Sequence, residues 1–179
     1  IMDTQLKEKI NISVDTINNL SKVDLADLCN ITEQAISAGG GFGWLRVPTR
    51  EILNQYWNEI TDDKLSSLIV GRLNGVIAGT LQLSYEAPNI ESRKNIAQIR
   101  RQFVAPWARG YGLAKTMIDF VEDKAKEENV KSLQLAVRET QQAAIKLFSS
   151  KDYKIWGENP YYAFINGSFV KGIYFYKNL

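Results

Sequence analysis

The sequence predicts a single α/β domain, residues 1–179, built on a mixed, mostly antiparallel sheet. Three observations predict it. Asn74-Gly75 and Asn166-Gly167 each separate two runs of alternating apolar residues, the strongest short-range hairpin signal. Amphipathic runs at helical spacing stand between the predicted strands. The stretch "FVAPWARGYGLAK" (Phe103–Lys115) then carries a strand end through a proline and two close glycines straight into a helix.

In chain order, "INISVDTI" (Ile10–Ile17) alternates as a strand, and Ser21 opens a helix to about Ala38, with Asp24 placed as in a capping box. Gly39, Gly40, Gly41 and Gly43 end that helix. Thr49 starts the second helix, "TREILNQYWNEI", with Ile52, Tyr56 and Trp57 expected on its buried face. Ser66–Leu73 and Val76–Tyr85 should pair across Asn74-Gly75, and Ile96–Val104 forms the next strand. After the glycine turn, Leu113, Met117, Phe120, Val121 and Ala125 recur at helical spacing to about Lys126. Ser132–Val137 is a short buried strand, "QQAAIKLFSS" a helix, and "YYAFINGSFVKGIYFYKNL" a closing hairpin.

Composition excludes several chemistries. Twenty-two Lys and Arg against twenty Asp and Glu leave a formal charge of +2 without a single-sign block, so nucleic acid is not an expected partner. With no histidine and one cysteine, Cys29, the His/Cys zinc sites and His-based triads are absent, and no metal is expected. Cys29 lies at helical spacing with Leu25 and Leu28, as a buried small hydrophobe would. No apolar run approaches ~18 residues and "IMDTQLKEKI" has no apolar segment ahead of a cleavage site, so neither a membrane nor a secretory route is expected, and the compartment is cytoplasmic.

The glycine turn has a physical use. A helix opens with unpaired N–H groups and the positive end of its dipole, which makes an anion site where side chains stay clear. Gly110 and Gly112 keep it clear, and Arg109 and Lys115 add charge at the rim. Pro106, which cannot donate to a ladder, ends the strand pairing just before. A strand freed there offers its backbone to an extended, amide-containing ligand. A diphosphate joined to an amide-rich arm describes coenzyme A.

These residues resemble the GNAT superfamily of acyl-CoA-dependent N-acyltransferases. Arg109-Gly110-Tyr111-Gly112-Leu113-Ala114 is similar to its R/Q-x-x-G-x-G/A motif, after "QIRRQFV" as the fourth strand with V-x-P following. "LAVRETQQAAIKLFSSKDYKIWG" resembles the family's fifth strand, next helix and entry to the sixth strand. Within it, "AISAGGGFGWLRVP", "PNIESRKNIAQIRRQFV" and "GIYFYKNL" resemble the tabtoxin-resistance-type acetyltransferases. The resemblance implies a sheet splayed between strands 4 and 5 with helices on both faces. It also implies transfer of acetyl from acetyl-CoA to a primary amine of a small molecule by direct attack in a ternary complex. The amides of Arg109, Gly110, Tyr111, Gly112, Leu113, Ala114 and Lys115 would hold the pyrophosphate. Backbone of Gln102, Phe103 and Val104 would meet the pantetheine arm, with the Val104 N–H polarising the thioester carbonyl, and Gln141 and Phe148 would complete the donor site.

The sequence departs from that pattern at the proton-transfer positions. Gln98 stands where many relatives carry a carboxylate base, and Phe148 replaces the tyrosine that protonates the thiolate. A water chain, Glu86, Glu91 or Glu158 are the alternative bases and solvent or Ser149 the alternative acid; a noncatalytic acetyl-CoA sensor is the alternative function. Phe42, Trp44, Glu86 and Tyr161 are the expected acceptor-pocket residues, with Trp156 and Tyr162 as further candidates for its wall, and Tyr153 is expected in the core. The aromatic closing hairpin fits either a monomer or a homodimer.

Overall fold

The computed structural model describes residues 9–40 and 42–179, so Gly41 and the amino-terminal stretch weighed for a leader lie outside the described residues. Seven strands form one sheet in the order β1-β2-β3-β4-β5-β7-β6. They are β1 (Ile12–Ile17), β2 (Ser66–Leu73), β3 (Val76–Tyr85), β4 (Ile96–Val104), β5 (Ser132–Arg138), β6 (Lys154–Ile165) and β7 (Ser168–Asn178). The helices are α1 (Lys22–Ser37), α2 (Arg50–Asp62), α3 (Leu113–Glu127) and α4 (Gln142–Ser150). Among the described residues only β4 and β5 pair in parallel, and every other neighbouring pair is antiparallel. Among the described residues no helix is long and apolar enough to cross a membrane.

Both Asn-Gly turns form as expected, each with Asn and Gly at positive φ. The closing hairpin is longer than the sequence indicates: β6 begins at Lys154, because two register breaks, at Ile155/Gly157 and Asn159/Ala163, hide its alternation. Its outer side leaves Tyr161, Phe164 and Phe169 exposed. In α2 the buried residues are Leu53 and Trp57, one turn apart, while Ile52 is 48% exposed, so the apolar stripe runs one position later than expected. The Trp57 indole N–H donates to Thr32 Oγ1 at 2.9 Å, and that hydroxyl donates to the Leu28 carbonyl. Cys29 is fully buried, and desolvation raises its thiol pKa.

At the start of α1, Ser21 Oγ accepts from the Asp24 N–H at 3.1 Å, but the Asp24 carboxylate turns to Arg72 on β2 instead of completing the box. Arg72 also binds Asp15, tying β1, β2 and α1 together. Hydrogen bonds from Arg72 hold Asp24 below the usual carboxylate pKa. The stabilisation is therefore present above the unfolded value of about 3.9 and is lost as pH falls through the lower folded value. Urea unfolding between pH 3 and 7 should show this acid-side loss shrinking in Asp24→Asn.

The helices lie on opposite faces. Gly71 and Gly79, paired across β2 and β3, both face α3: a Cβ at Gly71 would stand 2.7 Å from Leu113 Cδ1 and Met117 Sδ. At Gly79 it would stand 2.9 Å from the Phe103 carbonyl oxygen, which is β4 backbone and cannot rotate away. Gly79→Ala should destabilise by about 1–3 kcal/mol in chemical denaturation, as overpacking does, and weaken acetyl-CoA binding by displacing β4 at Phe103–Val104.

Candidate active site

β4 and β5 diverge. Their pairing covers only Ile96, Ala97 and Gln98 against Ser132, Leu133 and Gln134, and from Ile99 onward a gap opens between them. A second irregularity lies on the other edge of β4: Thr80 pairs with Phe103 and Gln82 with Arg100, so Leu81 stands opposite both Arg101 and Gln102. Arg101 adopts φ 50° in this bulge, a left-handed conformation that is uncommon outside glycine. The Arg101 carbonyl accepts from Thr80 Oγ1 at 3.2 Å, and its guanidinium donates to Gln82 Oε1 and sits over the Tyr56 ring.

Beyond the bulge, Ala105 N–H donates to the Ala78 carbonyl at 2.8 Å. Antiparallel alternation then turns Val104, opposite Gly79, so that its N–H and C=O face the gap, where β5 no longer pairs. The same alternation turns the Phe103 N–H and C=O to Thr80. The Phe103 backbone therefore faces β3 and not the gap, a correction to its expected role, although the residue borders the cavity at the start of α3.

The chain next makes a tight turn at Pro106–Ala108, pinned by the Trp107 indole N–H to Gln34 Oε1, and enters α3. Gly110 (φ 86°) and Gly112 (φ 75°) both hold the left-handed conformation. No side chain caps α3, whose first-turn amides are left open, and a Cβ built on either glycine would meet nothing within 4 Å. A cavity of about 640 Å³ lies against this helix end, lined by Arg109, Gly110, Gly112, Leu113, Ala114 and Lys115, by Gln102–Val104, by the end of α1 and by Thr140–Ala144 and Leu147. Tyr111 does not line it; its ring is exposed.

A second cavity of about 520 Å³ fills the gap between β4 and β5. Phe42 walls it and is 2% exposed, packed edge-on against Tyr56, Trp57 and Phe103, so it is core and cavity wall together. Arg138 Nη2 donates to the Phe42 carbonyl at 3.3 Å, fastening the glycine-rich loop to β5. Gln141 lines both cavities; Gln98 and the buried Phe148 line this one. The phenyl ring of Phe148 packs on Tyr153, whose buried hydroxyl has no hydrogen-bond partner.

Six expected residues fall elsewhere. Glu86 follows Tyr85, which pairs with Ala97 at the closed end of β4, roughly 25 Å of extended strand from Val104, and it is bound to Arg93 at 3.0 Å. Ser149 is exposed and lines neither cavity. Tyr161 is 70% exposed and stacks on Phe169; the adjacent Tyr162, on the opposite face of β6, is the one that walls the cavity. Trp44 packs edge-on against Tyr56 and lines neither cavity. Glu91 sits in an exposed turn near Arg93, and Glu158 is paired with Lys171. Arg100, Arg101, Arg138 and Tyr174, none of them expected, complete the β4–β5 cavity with Tyr162. A Cβ on Gly172 of β7 would overlap the Tyr162 ring, which covers that glycine.

A mixed sheet parted between β4 and β5, with the uncapped start of α3 at the mouth, leaves one cavity against the helix end and a second between the strands. Known proteins agree on its class. Residues 27–152 match the family model described as Acetyltransferase (GNAT) family. An uncharacterized N-acetyltransferase from the hisH-hisA intergenic region of Azospirillum brasilense is 44% identical over 131 residues, covering 73% of this chain and 78% of that one. An N-acetyltransferase from Staphylococcus aureus Mu50 has the same fold at TM-score 0.79, with 18% identity over 94% of this chain and 98% of the other. A proposed acetyltransferase from Salmonella typhimurium, solved with its cofactor acetyl-CoA, superposes at TM-score 0.75 with 15% identity, covering 94% of each chain. The chain belongs to the GNAT family. It is an N-acetyltransferase, and its family takes the acetyl group from acetyl-CoA.

Proposed function

We propose that this enzyme acetylates a primary amine on a small molecule, with donor and acceptor bound together. One observation carries the donor half: the open first-turn amides of α3, with Gly110 and Gly112 at positive φ, lie beside the unpaired edge of β4. Amides from Arg109 to Lys115 would hold the pyrophosphate, helped by the charges of Arg109 and Lys115. Bound acetyl-CoA supplies an activated thioester. The Val104 N–H, turned into the gap, would polarise its carbonyl where negative charge develops, a donor worth on the order of 3 kcal/mol. Holding the amine against that carbonyl supplies much of the remaining rate.

Gln98 cannot accept a proton and Phe148 cannot give one, and neither Glu86 nor Ser149 reaches the gap to replace them. Proton transfer then falls to water in the open chamber, which Tyr162 and Tyr174 also line, and a thiol with a pKa of about 8.5 takes its proton from solvent at neutral pH. The glycine-rich loop and the terminal "GIYFYKNL" support a place near the tabtoxin-resistance-type enzymes. Thiol release from acetyl-CoA across an amine library tests the proposal: turnover of a small primary amine is expected. Binding of acetyl-CoA with no thiol released by any amine would instead mark a noncatalytic sensor.

A further inference from the structure

Building on the donor site proposed above, we infer that the acceptor carries an anionic group, a carboxylate or its equivalent, beside its amine. Arginines of the β4–β5 chamber seat that anion. Three arginines line this chamber, Arg100, Arg101 and Arg138, and no carboxylate does. Their hydrogen bonds go to neutral oxygens: Arg101 to Gln82 Oε1 at 2.6 Å, Arg100 to Gln98 Oε1 at 3.0 Å and Arg138 to the Phe42 carbonyl at 3.3 Å. None of the three enters an ion pair among the described residues.

The neighbouring carboxylates are already engaged. Glu139, next to Arg138, and Glu158 both lie with Lys171. Glu59 and Asp63 line a separate cavity on the far side of Arg100 and Arg101, where Glu59 accepts from Gln55 and Asp63 from the Leu65 N–H. The Arg101 guanidinium turns to Gln82 and Tyr56 in that separate cavity, while those of Arg100 and Arg138 bond to Gln98 and Phe42 on the chamber wall. A chamber with two guanidiniums and no carboxylate repels a bare ammonium ion. It attracts an amine that brings its own carboxylate, which a guanidinium fork grips through two parallel N–H bonds. The same positive surround disfavours the ammonium form of the acceptor, so its nitrogen sheds a proton to water more easily where Gln98 offers no base.

Calorimetric titration of acetyl-CoA into the full chain tests the donor site alone. Thiol release is then compared for matched probes, each L-amino acid against its own carboxamide. The acids should show kcat/KM at least roughly tenfold above the amides. Arg138→Gln and Arg100→Gln should each cut that ratio severalfold while leaving acetyl-CoA affinity within about twofold. Arg100 is exposed and bonded only to Gln98, so its replacement leaves the core intact, which the thermal midpoint verifies. Where no pair is turned over, the pairs are titrated into protein saturated with CoA, and heat from acids alone supports the inference. Amides equal to or better than acids, or no heat from any acid, overturns it while the donor site stands. A wild-type chain that takes up no acetyl-CoA overturns both.

Discussion

Gly112→Glu abolishes acetyl-CoA binding: titration to millimolar donor gives no heat, whereas the wild-type chain binds. Gly112 caps α3 at φ 75° with no atom within 4 Å of where a Cβ would stand, so its replacement points into open space at the helix end. Two effects separate there. Any L side chain pays about 1–2 kcal/mol for the left-handed conformation, which Gly112→Ala measures by itself as a modest loss of stability. The carboxylate adds a charge where the pyrophosphate must sit. It satisfies the open amides and helix dipole in the ligand's place and repels the phosphates directly. Retained affinity in Gly112→Glu, with the alanine variant folded, would show that the diphosphate lies somewhere other than this turn.

Val104→Pro is the second large effect, and it falls on rate. Because Ala105 and not Val104 donates to β3, proline at 104 removes the Val104 N–H, which turns toward the gap, without deleting a ladder bond to β3. Deleting a single donor of this kind costs about 10²–10³ in kcat. Single-turnover thiol release should fall by that much, with acetyl-CoA affinity changed far less and urea unfolding close to wild type. Unchanged kcat would assign carbonyl polarisation to another group.

The sequence was most legible where backbone chemistry decides the structure. Asn-Gly turns demand positive φ at adjacent positions, which is why the ends of β2 and β3 fell at the expected residues. The proline and glycines between β4 and α3 pointed to the uncapped helix end for the same reason. Side-chain direction was less legible, because it depends on counting residues through strands, and two strands miscount. The bulge at Arg101–Gln102 shifts alternation within β4, and nothing in "IRRQFV" announces it, so two site arginines passed as ordinary charges. The break between Asn159 and Ala163 inverts β6, placing Tyr162 and not Tyr161 at the chamber. Glu86 failed for a different cause: adjacency to a site strand says nothing about which end of that strand holds the site.

The contact between Gly172 and Tyr162 bears on how such an enzyme changes its diet. The Tyr162 ring walls the β4–β5 chamber and rests on Gly172, which does not line it, so a methyl group gained at 172 would tilt that wall from behind. Under the function proposed above, descendant lineages would explore new amines by mutating a buttress, while the residues assigned to coenzyme A would be inherited untouched.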